Sequence, residues 1–303
     1  MLFPYKTIDL THDITPDIPS WNGDCGFQHK IRSNYEDSNS PTKFFVQDIE
    51  MQAGIGTHMD APSHCIKGAK SIAEIPLEDL SAPVFVIDVS DRAHAHYTLS
   101  VNDVLDFELK FGDISPNSFV IIRTGWDQYW HDPIKYRNNL LFPSISAEAA
   151  ILLLEREIKG LGIDTLSPDS IESQFPVHQL VLGAGKYIVE NIANSKDLPP
   201  IGAYIMALPI KVFQGSEAPI RLVVLVDKDD FSQERMKNIL DLGDNINDEE
   251  KNLSLRMCEL IKGKKVIATR ILFDKRKELF IEFDDGTKLF VDNFNDSSDV
   301  SIS

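Results

Sequence analysis

At 303 residues, 43% hydrophobic and 25% charged, the chain has the makeup of a globular protein with room for one large domain and a small addition. Its net charge of −17 argues against nucleic acid or an anionic membrane surface as a partner, since both are polyanions. The three cysteines, Cys25, Cys65 and Cys258, form no CxxC pair and read as free thiols of a reducing compartment.

The start, Met1-Leu2-Phe3-Pro4-Tyr5-Lys6, lacks a basic stretch followed by an apolar core, and no apolar run approaches the roughly 20 residues of a membrane span. The expectation is a soluble cytoplasmic protein. Thr7 to Leu10 carries a strand signal. Pro16, Pro19 and Trp21-Asn22-Gly23-Asp24 then make a loop, in which Trp21 can be a stacking wall for a substrate or a lid on the core. Asn34 to Thr42 is polar and loop-like, and Lys43 to Met51 reads as a strand.

That strand leads into Gly54-Ile55-Gly56-Thr57-His58-Met59-Asp60-Ala61-Pro62-Ser63-His64. His58 and Asp60 are two apart, so on an extended backbone they leave the same face. An imidazole beside a carboxylate suits zinc or manganese. Pro62 forbids a continuing helix and His64 is carried round by a turn. Gly54 and Gly56 allow either close approach or a positive φ. A glycine-rich turn with two surface histidines is the plainer alternative, but His, Asp and His together in so short a segment favour a functional site.

Ala73 to Leu80 fits a helical turn or two, and Pro83 to Val89 a buried strand. His94 and His96 lie in a polar stretch without a carboxylate partner and are read as loop residues. Val101 to Leu109 is patterned as an amphipathic helix and Ser118 to Arg123 as an apolar strand. Trp126, Tyr129, Trp130 and Tyr136 form an aromatic cluster that could line a pocket or pack under a loop. Ser146 has the chemistry of a helix N-cap, and the helix is expected to end in a glycine cap before a strand at Gly160–Asp164. Helix followed by strand argues for an α/β domain. A loop is expected through Phe175-Pro176-Val177-His178, a short helix at Lys186–Ile192 carrying Glu190, and strands at Tyr204–Leu208 and Ile220–Val226.

Composition changes at Asp227-Lys228-Asp229-Asp230, which sets the expected boundary between residues 1–230 and an appendage of residues 231–303. The appendage pattern gives helices at Glu234–Asp241 and Asp248–Ile261. Strands follow at Lys265–Phe273, Glu278–Phe283 and Lys288–Asp292, with Asp274-Lys275-Arg276-Lys277 and Asp284-Asp285-Gly286 as the two turns and Asn295–Ser303 frayed.

The stretch from Gly54 to His64 resembles the HxGTHxDxPxH signature of the cyclase family of metal-dependent hydrolases, which includes kynurenine formamidases and isatin hydrolases. Asp9-Leu10-Thr11, Pro19-Ser20-Trp21-Asn22-Gly23-Asp24, Arg123-Thr124-Gly125-Trp126, Gly162-Ile163-Asp164-Thr165, Phe175-Pro176-Val177-His178, Glu190 and Ala207-Leu208-Pro209 also fall in family order. The resemblance covers residues 5 to 226. It implies a swivelling β/β/α domain of α/β class, usually a homo-oligomer, here with a small C-terminal α+β appendage. It also implies a divalent metal, Zn or Mn, held by His58, Asp60, His178 and Glu190, with His64 as acid/base and Trp21 at the substrate pocket. The signature's first His is Gly54 here. One ligand is therefore missing from one metal position, and ligand arithmetic leads to the expectation of one tightly held ion per chain.

The activity implied is hydrolysis of an amide or cyclic amide in a small-molecule substrate, arylformamidase-like, at a C–N bond other than a peptide bond. Trp21, Trp126 and Trp130 would favour a flat substrate. No Gly-x-Ser-x-Gly elbow is present, which disfavours a serine hydrolase. The alternative is a catalytically degenerate family member acting as a binding or regulatory protein, for which Gly54 is the main support.

Overall fold

The computed structural model describes residues 3–228 and, further on, 266–274, 276–283, 288–292 and 299–302. Two compact units emerge, Met1–Lys237 and Asn238–Ser303.

In the first unit the chain runs through β1 (Tyr5–Asp9), β2 (Phe27–Ser33), β3 (Val46–Met51), β4 (His58–Asp60) and β5 (Ser81–Asp88). It continues with β6 (Thr98–Leu99), α1 (Val101–Phe111), β7 (Phe119–Arg123), α2 (Pro133–Arg137), β8 (Ser144–Ile145) and α3 (Ala147–Glu155). Last come β9 (Gly160–Ile163), α4 (Pro176–Gly183), β10 (Tyr187–Glu190), β11 (Ala203–Pro209) and β12 (Glu217–Asp227). Eight of these strands form one mixed sheet in the order β1-β12-β11-β5-β7-β9-β10-β4, and β4 also pairs with β12. That last pairing closes the sheet on itself. β5, β7, β9 and β10 run parallel and the remaining pairs are antiparallel.

Side chains alternate across the sheet as a pleated strand requires. In β7, Phe119 and Ile121 join one core with Met59, Val84, Val189, Ile205 and Leu222, while Val120 and Ile122 join a second core with residues of α1, α3 and α4. Each helix has a clear sequence origin. Ser100 and Asp103 form a reciprocal capping box at α1, and Ser146 accepts from the Ala149 N–H at α3. No helix among the described residues is long and apolar enough to cross a membrane.

Several local expectations are corrected. Lys186–Ile192 is not a helix: Tyr187–Glu190 is strand β10, with every residue buried between β9 and β4. Two buried faces remove the alternating pattern that marks a strand in sequence, and tertiary pairing decides. Phe175–His178 is not all loop, because Pro176 opens α4, where a proline at the first helical position is tolerated. Finally, α3 ends at Glu155, and the residue of positive φ after it is Glu157 rather than a glycine. The strand expected at Lys43–Met51 is shorter at its start and pairs with β2, which no expectation covers, in an exposed two-stranded ribbon.

In the second unit β13 (Val266–Asp274), β14 (Arg276–Phe283), β15 (Lys288–Asp292) and β16 (Asp299–Ile302) form an antiparallel meander. The frayed end expected at Asn295–Ser303 contains β16, whose Asp-Val-Ser-Ile alternation is a strand pattern. The helices expected at Glu234–Asp241 and Asp248–Ile261, the boundary residue 230 and the turn at Asp284–Gly286 lie outside the described residues.

The hydrophobic cores on both faces of the sheet and the closing β4–β12 pairing belong to the first unit. A chain ending at Lys237 is therefore expected to keep a cooperative thermal transition, read by circular dichroism. Non-cooperative melting of that chain would show that the later residues complete its core.

Candidate metal centre

The site is built on β4, a strand of three residues hydrogen-bonded on both edges. Met59 points into the first core, so His58 and Asp60 point the other way. Directly opposite residues of an antiparallel pair share a face. In β10, Glu190 stands opposite His58, and in β12, Glu217 stands opposite Asp60. The fourth group comes from α4, whose first turn carries His178 over the same face. Both glycine options are realised: Gly56 has φ +62°, and Gly54 lies where a Cβ would meet neighbouring side chains.

His58 Nε2 lies 3.3 Å from Glu190 Oε2 and 3.5 Å from Asp60 Oδ1. His178 Nε2 lies 3.4 Å from Asp60 Oδ2 and 3.4 Å from Glu190 Oε1. His58, Asp60, Glu190 and His178 are all buried. Each imidazole is oriented from behind. His58 Nδ1 donates to the Gly56 carbonyl at 2.9 Å, and His178 Nδ1 donates to Asp169 Oδ2 at 2.7 Å, which leaves both Nε2 atoms facing inward.

Asp169 is one residue of the site that the sequence alone does not single out. It is fully buried and also accepts the Val177 and His178 N–H groups, so it caps α4 where Phe175, at φ 59°, supplies no side-chain cap. The only signal in sequence is an acid ahead of a proline-opened helix, too common to single it out. Behind the signature turn, Asn191 Nδ2 donates to the Gly56 carbonyl, and Tyr136 Oη donates to Asn191 Oδ1. Thr57 Oγ1 donates to the Asn191 carbonyl.

The carboxylates decide what the cluster is suited to hold. Asp60 Oδ1 and Glu190 Oε1 are buried and accept no hydrogen bond. A buried carboxylate oxygen without a donor is costly, and a cation at the centre of the four groups would satisfy both. Donor atoms of His58, Asp60 and Glu190 lie within 4.8 Å of one another, as do those of Asp60, His64 and His178. Burial works against charge on His58, but Glu190 and Asp60 outweigh it and push the imidazole up to about 9. His178 is likewise pushed up to about 12, as Asp169, Asp60 and Glu190 overcome its burial. Glu190 is held below its ordinary value: burial raises it, and His178 and His58 more than offset that.

His64 sits at the rim with its side chain one-third exposed, its Nδ1 3.3 Å from Glu217 Oε2 and its ring 5.9 Å from that of His178. Glu217 raises its pKa against the effect of burial. Cys65 lines the cavity, but its Sγ donates to the His178 carbonyl and burial pushes the thiol up, so it is not a poised nucleophile. The cavity measures about 530 Å³, within the usual range for small-molecule sites. Trp21 lines it together with Phe175 and Leu166, packing 5.8 Å from the Phe175 ring. Trp126 and Trp130 do not line it. They are buried in a third core, where Trp126 donates to the Tyr136 carbonyl and Trp130 stacks on His12 at 3.8 Å. Of the three tryptophans, Trp21 alone supports the flat-substrate expectation. His94 and His96 are exposed, on the loop before β6.

A family model described as "Putative cyclase" matches residues 8–170. An isatin hydrolase of Roseibium aggregatum is 32% identical over 217 residues, covering 66% of this chain and 81% of the relative. A kynurenine formamidase of Bacillus cereus is 26% identical over 219 residues, covering 72% of this chain and 96% of the relative. Among solved structures, isatin hydrolase A from Ralstonia solanacearum superposes with a TM-score of 0.67 at 30% identity, covering 73% of this chain and 92% of that one.

Two outcomes are expected. Asp169→Asn puts an amide against the N–H groups of α4 and the ring of His178, so divalent-metal affinity should fall by about 10–100-fold with the fold retained. Chelator competition measures the loss, and unchanged affinity would mean that the α4 turn alone positions His178. Metal affinity should also rise with pH. Without a cation His58 and His178 are protonated at neutral pH, and an imidazole must lose its proton to ligate, so uptake releases protons. Calorimetric titration in buffers of different ionisation enthalpy counts them; a count of zero would place the ligands elsewhere.

Proposed function

The chain belongs to the cyclase family, and from that membership together with the donor cluster we propose that it is a metal-dependent hydrolase cleaving the C–N bond of an amide or cyclic amide. One observation carries the reading: two inward-facing imidazoles and two buried carboxylates, each with an oxygen that accepts no hydrogen bond, converge at the floor of a substrate-sized cavity.

Asp60, Glu190, His178 and His58 would hold the ion, and their mixed nitrogen and oxygen donors suit zinc or manganese. When bound, the ion supplies Lewis acidity, which acidifies water and polarises a carbonyl. The remaining work falls to side chains. His64 reaches the cavity from the rim and is suited to hand a proton to the leaving nitrogen, since an imidazole titrates near neutrality. Trp21 and Phe175 give a substrate an aromatic wall, which favours an aryl amide or a fused lactam. Exposed Ile31, Val46, Ile49 and Met51 on the β2–β3 ribbon support assembly into a homo-oligomer as part of the same reading.

The test is a hydrolysis screen of N-formyl-arylamines, isatin and small lactams, with and without chelator. Chelator-sensitive turnover is expected, and its absence on every substrate would favour a binding role. In the same assay His64→Ala should keep its metal but lose about 10²-fold or more in turnover, the usual scale for a lost acid/base. Loss of metal from that variant would make His64 a ligand, which the proximity of its donor atoms to those of Asp60 and His178 allows.

A further inference from the structure

Glu217 belongs to neither group of converging donors, yet three observations bring its carboxylate to the same site. The first is register. Glu217 lies directly opposite Asp60 in the β12–β4 pair, as Glu190 lies opposite His58 in the β10–β4 pair. β4 therefore has a glutamate on each edge, and both share the face of His58 and Asp60. The second is the space above Gly54. A Cβ built on that residue would collide with Glu217 Oε1 and stand 3.3 Å from His58 Nε2. The carboxylate thus occupies the volume beside His58 that a side chain at position 54 would need, and only glycine leaves it free. The third is restraint. Glu217 Oε2 is paired with His64 Nδ1 at 3.3 Å, and the glutamate side chain is only 24% exposed. A carboxylate set into a cavity wall beside a buried Asp and His is a competent ligand for a hard or borderline cation.

We propose that Glu217 is a metal ligand, which with His58 and Asp60 completes a second divalent-cation position on the Gly54 side of the cluster. The first position is then that of Asp60, His178 and Glu190, with Asp60 shared between the two. This rests on the metal-dependent reading above and changes its stoichiometry. Counting Gly54 as a lost ligand gives one tightly held ion; a carboxylate supplied from β12 restores three protein donors and gives two. It also makes positions 54 and 217 a pair. A histidine at 54 and a glutamate at 217 compete for one volume, whereas either alone supplies a donor beside His58.

The experiment is elemental analysis with chelator competition, using zinc and manganese as probes, on extensively dialysed wild-type protein and four variants. Wild-type should retain two equivalents. Glu217→Gln, which keeps the shape, and Glu217→Ala should retain one, with affinity for the lost ion reduced by about 10²-fold or more, beyond the effect of losing an outer hydrogen bond. Gly54→His alone should bind no better than wild-type, while Gly54→His with Glu217→Ala should regain the second equivalent. Circular dichroism of each variant separates ligand loss from unfolding. Unchanged stoichiometry and affinity in both Glu217 variants would overturn the proposal. Lower turnover with unchanged metal content would do so too, by assigning the carboxylate to orienting His64. A wild-type protein that binds one equivalent, retained in the Glu217 variants, sinks the proposal but leaves the hydrolase reading intact. A wild-type protein that binds neither metal overturns both.

Discussion

Everything at the site depends on β4 being paired on both edges. Three residues are too few to hold a register by themselves, and the hydrogen bonds to β10 on one side and β12 on the other supply what the strand lacks. The same two pairings close the sheet, so the register of the site is also the register of the core. A slip of one residue would turn His58 and Asp60 into the first core and bring Met59 to the cavity. Met59 is fully buried among Val84, Val189, Leu222 and Val224, which makes that slip costly. The functional side chains are thus held in place by a methionine that performs no chemistry.

That register concentrates negative charge where water is scarce. Asp60 and Glu190 are buried side by side, and Glu217 faces them from the third strand. In the absence of a cation, protonated His58 and His178 neutralise the pair, which is why both imidazoles are pushed far above their usual value. In the proposed reading a divalent ion would replace those protons, and the geometry suits that exchange. Gly56 and Asp169 hold the outer nitrogens, so the inner nitrogens need not reorient. Preorganisation from behind the ligands also explains why the supporting residues are spread along the chain: Asp169 reaches His178 from nine residues away, and Asn191 reaches the Gly56 carbonyl from 135.

Much of this was legible in the chain. The alternation of His58 and Asp60 needs only an extended backbone, and the strand supplies it. Family order links His178 and Glu190 to that pair, but their local structure departs from the sequence pattern in opposite directions: helix where a loop is expected, and strand where a helix is expected. The causes differ. The stretch Tyr187-Ile188-Val189-Glu190 has no polar face to display a period, and α4 begins after a residue of positive φ that nothing in its side chain announces. Trp126 and Trp130 show the converse: aromatic residues after a Thr-Gly turn are open to either a pocket or a packing role until their partners, Tyr136 and His12, are known. Glu217 could not be found at all, because its relevance comes from lying opposite Asp60 across a pairing of residues far apart in the chain.

Asp164 shows why burial of a carboxylate is not by itself a mark of function. It is fully buried, and desolvation pushes it up to about 7 against the opposing pull of Thr124. By that measure it is as perturbed as many catalytic groups. Yet both its oxygens accept hydrogen bonds, from the Thr124 N–H and hydroxyl and from the Gly125 N–H. Those bonds tie the end of β7 to the end of β9 and leave no lone pair directed at a cavity. Asp60 and Glu190 are buried to nearly the same degree, but each keeps an oxygen that accepts no hydrogen bond and has only the ion-pairing imidazole of His58 or His178 beside it. A fold that supplies donors for one buried acid and withholds them from two others has divided them by role: the first closes a seam in the sheet, and the other two leave oxygens open toward the cavity, where the proposed ion would satisfy them.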